Sequence, residues 1–150
     1  MKKVIDQKVY RLVPKGEYSF TLDKSKTYTI TEVKTEEESK DWCKHYIIKA
    51  DDGSTTEVRE VDVIFVPDTS LPEADMVRKY LSDNHCYTDE VYTNGEGGVI
   101  VHIDWGDWKH DHGWCDTAMG YLGYACGGQI VTEENGSDCY SATHYFYKVA

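Results

Sequence analysis

One twelve-residue segment, residues 103–114 with the sequence IDWGDWKHDHGW, gathers most of the candidate chemistry of this chain. It contains three aspartates, two histidines and three tryptophans. Imidazole and carboxylate groups together bind zinc, manganese or iron when about three or four of them converge. A His–Asp pair can instead act as a general base, and indole rings can form a wall against a planar ligand. The segment is therefore the first candidate for a functional site, with a divalent metal ion as the cofactor to test.

Residues 99–105 are predicted to form the strand that leads into this segment, because apolar and polar side chains alternate along it. His102 and Asp104 then lie next to each other on the face opposite the core. The predicted metal ligands are this pair together with His110 and His112, which follow in the connection to the next helix. The side chains predicted to face the core are Val99, Val101, Ile103 and Trp105.

Other residues near the segment have both a functional and a structural interpretation. His144, on the predicted last strand, can approach the segment from a neighbouring strand. Asp111 can equally be a cap for a helix that begins near Gly113, and two of the tryptophans, Trp105 and Trp114, can be core residues. His-Asp-His is not an established ligand spacing such as H-E-x-x-H, so both interpretations stay open. The ligand or contact candidates are Trp105, Asp107, Trp108, Lys109, Asp111 and His144.

The formal net charge of −11 is unevenly distributed along the 150 residues. Residues 1–31 carry a net +4, and the remainder carries −15. The negative net charge repels phosphates, so we expect neither direct binding to nucleic acid nor binding to an anionic membrane. It attracts cationic partners, which are metal ions or basic protein surfaces.

Three hypotheses for the function follow from charge and residue types. The favoured one is a small, acidic, non-catalytic protein that engages a basic protein surface. An inhibitor of a nucleic-acid-binding defence enzyme, of the kind that phages and mobile elements encode, is the analogy for it. The alternative is a divalent-metal-dependent hydrolase or lyase that uses the Asp/His cluster within residues 102–112. The third is a small-molecule binder for a nucleotide-like ligand.

The cysteines do not form a recognisable framework. Their number is odd and none are spaced as C-x-x-C, which favours free thiols in a reducing compartment. The N-terminal residues lack the apolar stretch of a signal peptide, and no run approaches the roughly 20 apolar residues of a membrane span. We therefore expect a soluble, cytoplasmic protein, and its oligomeric state stays open. The five cysteines are Cys43, Cys86, Cys115, Cys126 and Cys139.

The pattern of elements predicts an α+β protein with an antiparallel, β-rich N-terminal half. Separate strands are predicted over residues 18–22 and 28–33, with a turn at 23–26 between them. A hairpin is predicted at residues 51–54, and its second arm, 55–66, is predicted to lie centrally in a sheet because its end is apolar on both sides. The chain is predicted to be a single domain, residues 1–150, with possible sub-units 1–68 and 69–150.

The C-terminal half is predicted to be α-β-β-α-β-β and partly ferredoxin-like. Its first helix is predicted to begin with a Ser70/Glu73 capping box and to end near residues 83–84. Strands 86–92 and 99–105 flank a glycine-rich hairpin loop. Gly123 is predicted to end the second helix, and strands 129–133 and 139–149 flank the Asn-Gly turn at residues 135–136.

Overall fold

The computed structural model describes residues 4–17 and 19–149 and divides the chain into two compact units, Met1–Val66 and Pro67–Ala150. Each unit contains its own antiparallel sheet, and both α-helices of the described residues lie in the second unit. The predicted α+β class is therefore confirmed, and the two halves do not share a sheet. No helix within the described ranges combines the length and the apolar character needed to cross a membrane.

The first unit is a five-stranded antiparallel sheet with the strand order β4-β3-β2-β1-β5. A core of apolar side chains from all five strands holds it together, including Val9, Ile30 and Ile48, which are fully buried. A 3₁₀ turn, Glu60–Asp62, separates the last two strands. The strands are β1 Lys8–Pro14, β2 Phe20–Lys34, β3 His45–Lys49, β4 Thr55–Arg59 and β5 Val63–Phe65.

Two predictions for the first unit are wrong. The turn predicted at residues 23–26 lies inside strand β2, at a register irregularity where Val9 of β1 pairs with Tyr28 and Arg11 pairs with Asp23. Tyr18, where the earlier of the two strands was predicted to begin, lies outside the described residues. The arm 55–66 is interrupted by the 3₁₀ turn, and β5 pairs only with β1 at the edge of the sheet. Its apolar run reflects burial of all three residues, not a central position.

The second unit is a four-stranded antiparallel sheet with the order β6-β7-β9-β8. Helix α2 connects β7 to β8, and β9 lies between these two strands. This split β-α-β arrangement is the ferredoxin-like feature that the sequence predicts. The elements are α1 Glu73–Asp83, β6 Glu90–Thr93, β7 Gly98–Asp107, a π-helical turn Trp108–His112, α2 Gly113–Leu122, β8 Tyr124–Glu134 and β9 Cys139–Lys148.

The two faces of this second sheet differ sharply. Strand β9 turns His144 and Phe146 toward the helices, where both are buried, and turns Tyr145 and Tyr147 to the solvent. We call these the helix-covered face and the open face. On β7 the predicted alternation holds as far as Ile103, with Val99, Val101 and Ile103 buried and His102 on the open face.

The predicted core position of Trp105 is wrong. A β-bulge shifts the register between Ile103 and Gly106, and Trp105 adopts a left-handed backbone conformation with φ of 50°. A bulge adds a residue to one strand and breaks its alternation, so the side chain turns outward and is 47% exposed. Trp114 is half-buried, and its indole N–H donates to the carbonyl of Asn84 at 2.7 Å.

The helix starts also differ from their predictions. The backbone N–H and the hydroxyl of Ser70 donate to the Asp68 carboxylate, so Ser70 forms no capping box. Helix α1 begins after Pro72 with no side-chain cap. Asp111 does not cap α2, whose N-cap position is His112 and has no side-chain hydrogen bond. The π-helical turn before it is capped by Asp107, whose Oδ1 accepts from the backbone N–H of His110 at 2.7 Å. Gly123 ends α2 as predicted, with a φ of 101° that favours glycine. The predicted strand 86–92 shortens to β6, whereas β8 begins five residues before residue 129.

Candidate functional site

Three ligand-type side chains converge on the open face of the second sheet. A carboxylate oxygen of Asp89, a ring nitrogen of His102 and a carboxylate oxygen of Asp104 all lie within 4.8 Å of one another. His102 Nε2 and Asp104 Oδ1 lie 3.0 Å apart. We call Asp89, His102 and Asp104 the open-face triad, and such a set could hold a metal ion.

Strand register explains why these three residues meet. His102 and Asp104 are two residues apart on β7, so both point away from the helices. Strand β6 begins with Glu90 directly opposite His102, and Asp89 immediately precedes this strand, where its carboxylate comes within 4.8 Å of the ligand atoms of His102 and Asp104. The backbone N–H of Asp89 also donates to the carbonyl of His102 at 2.8 Å, and this bond fixes the approach of the third ligand.

The ring of His102 is oriented by a second contact. Its Nδ1 lies 2.8 Å from the hydroxyl oxygen of Thr143, its direct partner on β9. When Nδ1–H donates to that hydroxyl, the lone pair of Nε2 points to the carboxylates of Asp89 and Asp104. Histidine ligands in metal sites are held in this way by a hydrogen bond at the other ring nitrogen.

The two carboxylates of the triad repel each other. The charge of Asp104 raises the pKa of Asp89, and the nearby carboxylate of Glu90 acts in the same direction. The His102 ring has the opposite, smaller effect. A divalent cation between the carboxylates would remove this repulsion, because each charge would then face an opposite charge.

Exposed tyrosines lie beside the triad on the open face. Tyr92 on β6 and Tyr145 on β9 are both paired with Ile100 of β7, two residues from His102 along the strand. Two residues of a strand span roughly 7 Å, so these rings border the triad. Tyr145 is 40% exposed, and Tyr147, further along β9, is 52% exposed.

A second group of chemically reactive side chains lies on the helix-covered face. His144 is fully buried, and its Nδ1 lies 2.8 Å from Oδ1 of Asp116 on α2. Its Nε2 lies 2.8 Å from Nδ1 of His112, and Nε2 of His112 lies 2.8 Å from the carbonyl oxygen of Tyr140. The result is a buried hydrogen-bonded chain, Asp116–His144–His112–Tyr140.

Aromatic and thiol groups enclose this chain. The Trp108 ring lies 5.2 Å from that of His112 and 5.4 Å from that of Tyr140, measured between ring centroids. Cys115 is fully buried, and its sulfur lies within 4.8 Å of ligand atoms of Asp116 and His144. Cys115, Asp116 and His144, which we call the buried triad, could also hold a metal ion. All five cysteines are free thiols, as predicted.

The structure separates the four predicted metal ligands. His102 and Asp104 meet on the open face, His112 is buried on the helix-covered face, and His110 is exposed and belongs to neither triad. The predicted approach of His144 to the segment occurs at His112. Of the ligand or contact candidates, Trp108 lies against the buried chain. Asp107 and Asp111 make local backbone hydrogen bonds, and Trp105 and Lys109 are exposed.

Sequence reasoning missed three ligand-type residues and the hydroxyl that orients His102. Asp89 and Thr143 belong to the open face only through strand register, and Cys115 and Asp116 reach His144 only through the packing of α2. The one available signal was position, since Asp89 lies within a predicted strand and Thr143 lies next to His144.

No protein-family model matches the chain, and no curated protein or solved structure matches it either.

Proposed function

We propose that the chain is a divalent-metal-dependent hydrolase whose metal ion is held by the open-face triad. The observation that carries the proposal is the convergence of Asp89, His102 and Asp104 within 4.8 Å, with the His102 ring oriented by Thr143. Two carboxylates and one imidazole suit manganese, iron or zinc. Three protein ligands leave coordination positions for water and substrate.

The position of the triad supports a catalytic role over a purely structural one. The carboxylates of Asp89 and Asp104 are exposed, and His102 is half-buried, so a substrate has access to the ligand atoms. A divalent ion bound there polarises a substrate oxygen and lowers the pKa of a coordinated water. Glu90, which is exposed directly opposite His102, is a carboxylate in position to accept a proton.

The tyrosines beside the triad indicate the class of substrate. Tyr92 and Tyr145 offer ring surfaces within reach of the metal ligands, and phenol rings favour planar or apolar groups. The proposed substrate therefore combines a hydrolysable ester or phosphoester with an aromatic or sugar ring. A nucleotide-like molecule, which is the third hypothesis from sequence, falls within this class.

Charge also supports metal binding. The second unit carries fourteen Asp/Glu and four Lys/Arg, a formal net charge of −10, whereas the first unit carries −1. A negative field of this size raises the local concentration of divalent cations. It opposes an anionic substrate unless the metal ion binds first, so we expect substrate binding to require the metal.

Manganese binding tests the metal site directly. Wild-type protein freed of metal by a chelator is titrated with Mn²⁺, and loss of the free-ion electron paramagnetic resonance signal measures the bound fraction. We expect one bound ion, which His102→Gln and Asp104→Asn abolish. Thr143→Val should weaken binding roughly 10–100-fold, because it removes only the orienting hydroxyl. Glu96→Gln is the control, since it removes the same charge from an exposed loop of the same unit.

Hydrolysis is then measured with p-nitrophenyl esters and phosphates in the presence of Mn²⁺. The proposal predicts metal-dependent turnover that is lost in Asp104→Asn and kept in Glu96→Gln. An absence of Mn²⁺ binding in the wild type would remove the whole proposal. Binding without turnover of either probe class would reduce it to metal binding alone.

The charge distribution favours a second candidate function. We also propose that the acidic second unit engages a basic protein surface, the hypothesis that the sequence favours. The observation behind it is the concentration of the net charge in that unit.

A further inference from the structure

We infer that the buried triad, Cys115, Asp116 and His144, is a zinc site that stabilises the second unit, independent of the open-face triad. Cys115 and Asp116 lie on α2, and His144 lies on β9. A metal ion shared by them links the helix to the central part of the sheet beneath it. Thiolate, imidazole and carboxylate together are a zinc donor set.

The hydrogen bonds of the buried chain require one proton or cation beyond the protons of two neutral imidazole rings. Three hydrogen bonds join Asp116, His144, His112 and the Tyr140 carbonyl. Both ends of the chain are acceptors when Asp116 is ionised, so three N–H donors are required. Two neutral imidazole rings supply only two N–H donors. The chain therefore needs one further positive charge, which is an additional proton or a metal ion.

A zinc ion at Nδ1 of His144 satisfies every remaining group. Nε2–H of His144 then donates to Nδ1 of His112, and Nε2–H of His112 donates to the Tyr140 carbonyl. Both rings are neutral in this arrangement, which is the form that binds metals. A ligating histidine that donates its other N–H to a fixed acceptor is the usual outer shell of a zinc site.

A hydrogen bond from outside the triad also holds the Asp116 carboxylate in place. Its Oδ2 accepts from the side-chain amide of Gln129 at 2.7 Å, which leaves Oδ1 directed at His144. The Trp108 ring is stacked near His144, with 6.4 Å between ring centroids. His112 and His144 are almost inaccessible to water. A cation held here is therefore shielded from solvent, which strengthens its interaction with the thiolate and the carboxylate.

Further thiols surround the triad. The Cys115 thiol is hydrogen-bonded with that of Cys86, and both thiols are buried. The Cys126 thiol interacts with the Asp116 carboxylate and donates to the carbonyl of Gly128 at 3.5 Å. Zinc binding releases the proton of the thiol that it coordinates.

The geometry requires only small movements. Ligand atoms of tetrahedral zinc lie roughly 3.3–3.8 Å apart, given bonds of about 2.0–2.3 Å. His144 Nδ1 and Asp116 Oδ1 are closer than this, at 2.8 Å, and the longest separation in the triad is within 4.8 Å. Side-chain shifts of about 1 Å or less therefore complete the site.

Cobalt(II) is the probe, because it replaces zinc and its thiolate complexes absorb in the near ultraviolet. We titrate the metal-free full chain with Co²⁺ and expect a saturable thiolate-to-cobalt charge-transfer band that is lost on adding Zn²⁺. Cys115→Ser should abolish the band. Cys139→Ser should keep it, because that half-buried thiol of the same unit contacts the Trp105 carbonyl outside the triad.

Single-residue variants test the two proposed metal sites independently. Asp104→Asn should retain the cobalt band, and Cys115→Ser should retain Mn²⁺ binding, so either site can fail alone. If Cys115→Ser does not fold, X-ray absorption of the zinc-loaded wild type decides, with an expected Zn–S distance of about 2.3 Å. A wild-type protein that binds cobalt or zinc with nitrogen and oxygen ligands only, or neither metal, would overturn the inference.

Discussion

At the scale of single residues, Asp89 couples the proposed function to stability. The charge of Asp104 raises the pKa of Asp89, so the metal-free folded state prefers the protonated carboxyl. An acid with a raised folded-state pKa contributes stability below its unfolded pKa of about 4, and this contribution is lost as the pH rises. At neutral pH, the metal-free protein therefore contains a repulsion that a bound cation would remove.

Asp89→Asn should accordingly raise the melting temperature of the metal-free protein at pH 7 and remove the further rise that Mn²⁺ gives the wild type. The gain should shrink as the pH falls toward 4, because the wild-type carboxyl then becomes protonated. Thermal unfolding followed by circular dichroism, with and without Mn²⁺, measures both effects. The exposed Glu96→Gln variant controls for total charge. An Asp89→Asn protein that is less stable without metal would contradict the repulsion argument.

At the scale of elements, the bulge in β7 lies between His102 of the open-face triad and the π-helical turn that contains His112. The bulge ends at Gly106, where the backbone passes very close to the π-helical turn. A Cβ atom at Gly106 would lie 2.8 Å from Cβ of Asp111 and 3.2 Å from a methyl of Ile103. Only glycine fits this approach without a shift of one of the two segments. His112 follows directly after Asp111, so a shift would also move the buried chain.

Gly106→Ala should therefore destabilise the protein by about 1–3 kcal/mol, the usual cost of overpacking a buried position. Gly120→Ala is the matched control, because it adds the same methyl group to the exposed face of α2, where nothing lies within 4 Å. A glycine in a helix interior costs roughly 0.5–1 kcal/mol relative to alanine, so this variant should be more stable than the wild type. Urea unfolding of the two variants checks the opposite signs. Equal effects would mean that the bulge tolerates a side chain.

The bulge also marks where sequence reasoning succeeds and fails. Alternation correctly predicted the faces of Val99, Val101 and His102, because local geometry alone sets the direction of a side chain in a regular strand. The bulge reverses the direction of the Trp105 side chain. The bulge arises from the pairing of β7 with β9, and the residues of β7 alone do not specify it. Turn signals with glycine were reliable for the same local reason, as at Gly123.

The candidate sites show the same limit over longer distances. His102 and Asp104 are neighbours in sequence, and their pairing was predictable. The contact between His144 and Asp116 joins residues 28 positions apart and depends on how α2 packs on the sheet. No periodicity or spacing reports such a contact. The sequence therefore predicts the residue types of a site better than the set of residues that meets.

At the scale of the whole molecule, the division of charge follows the division into units. The sequence suggested a basic segment over residues 1–31 within an otherwise acidic chain. This segment belongs to the first unit, where the acidic residues that follow it bring the net charge of the unit to −1. The second unit carries the remaining net charge of −10. A cationic partner is therefore expected to bind the second unit, and long-range attraction should make its association fast at low salt.

A lysine-rich peptide is the probe for this property of the full chain. We expect its affinity to fall roughly tenfold or more from low to physiological ionic strength, because salt shortens the screening length to about 8 Å. Charge reversal at Glu133 and Glu134, two exposed residues of β8, should weaken binding more than the same reversal at Glu36 and Glu37 of the first unit. Titration calorimetry at several salt concentrations measures both comparisons. Binding that does not change with salt would contradict the electrostatic argument, and equal effects of the two reversals would assign the attraction to total charge instead of the second unit.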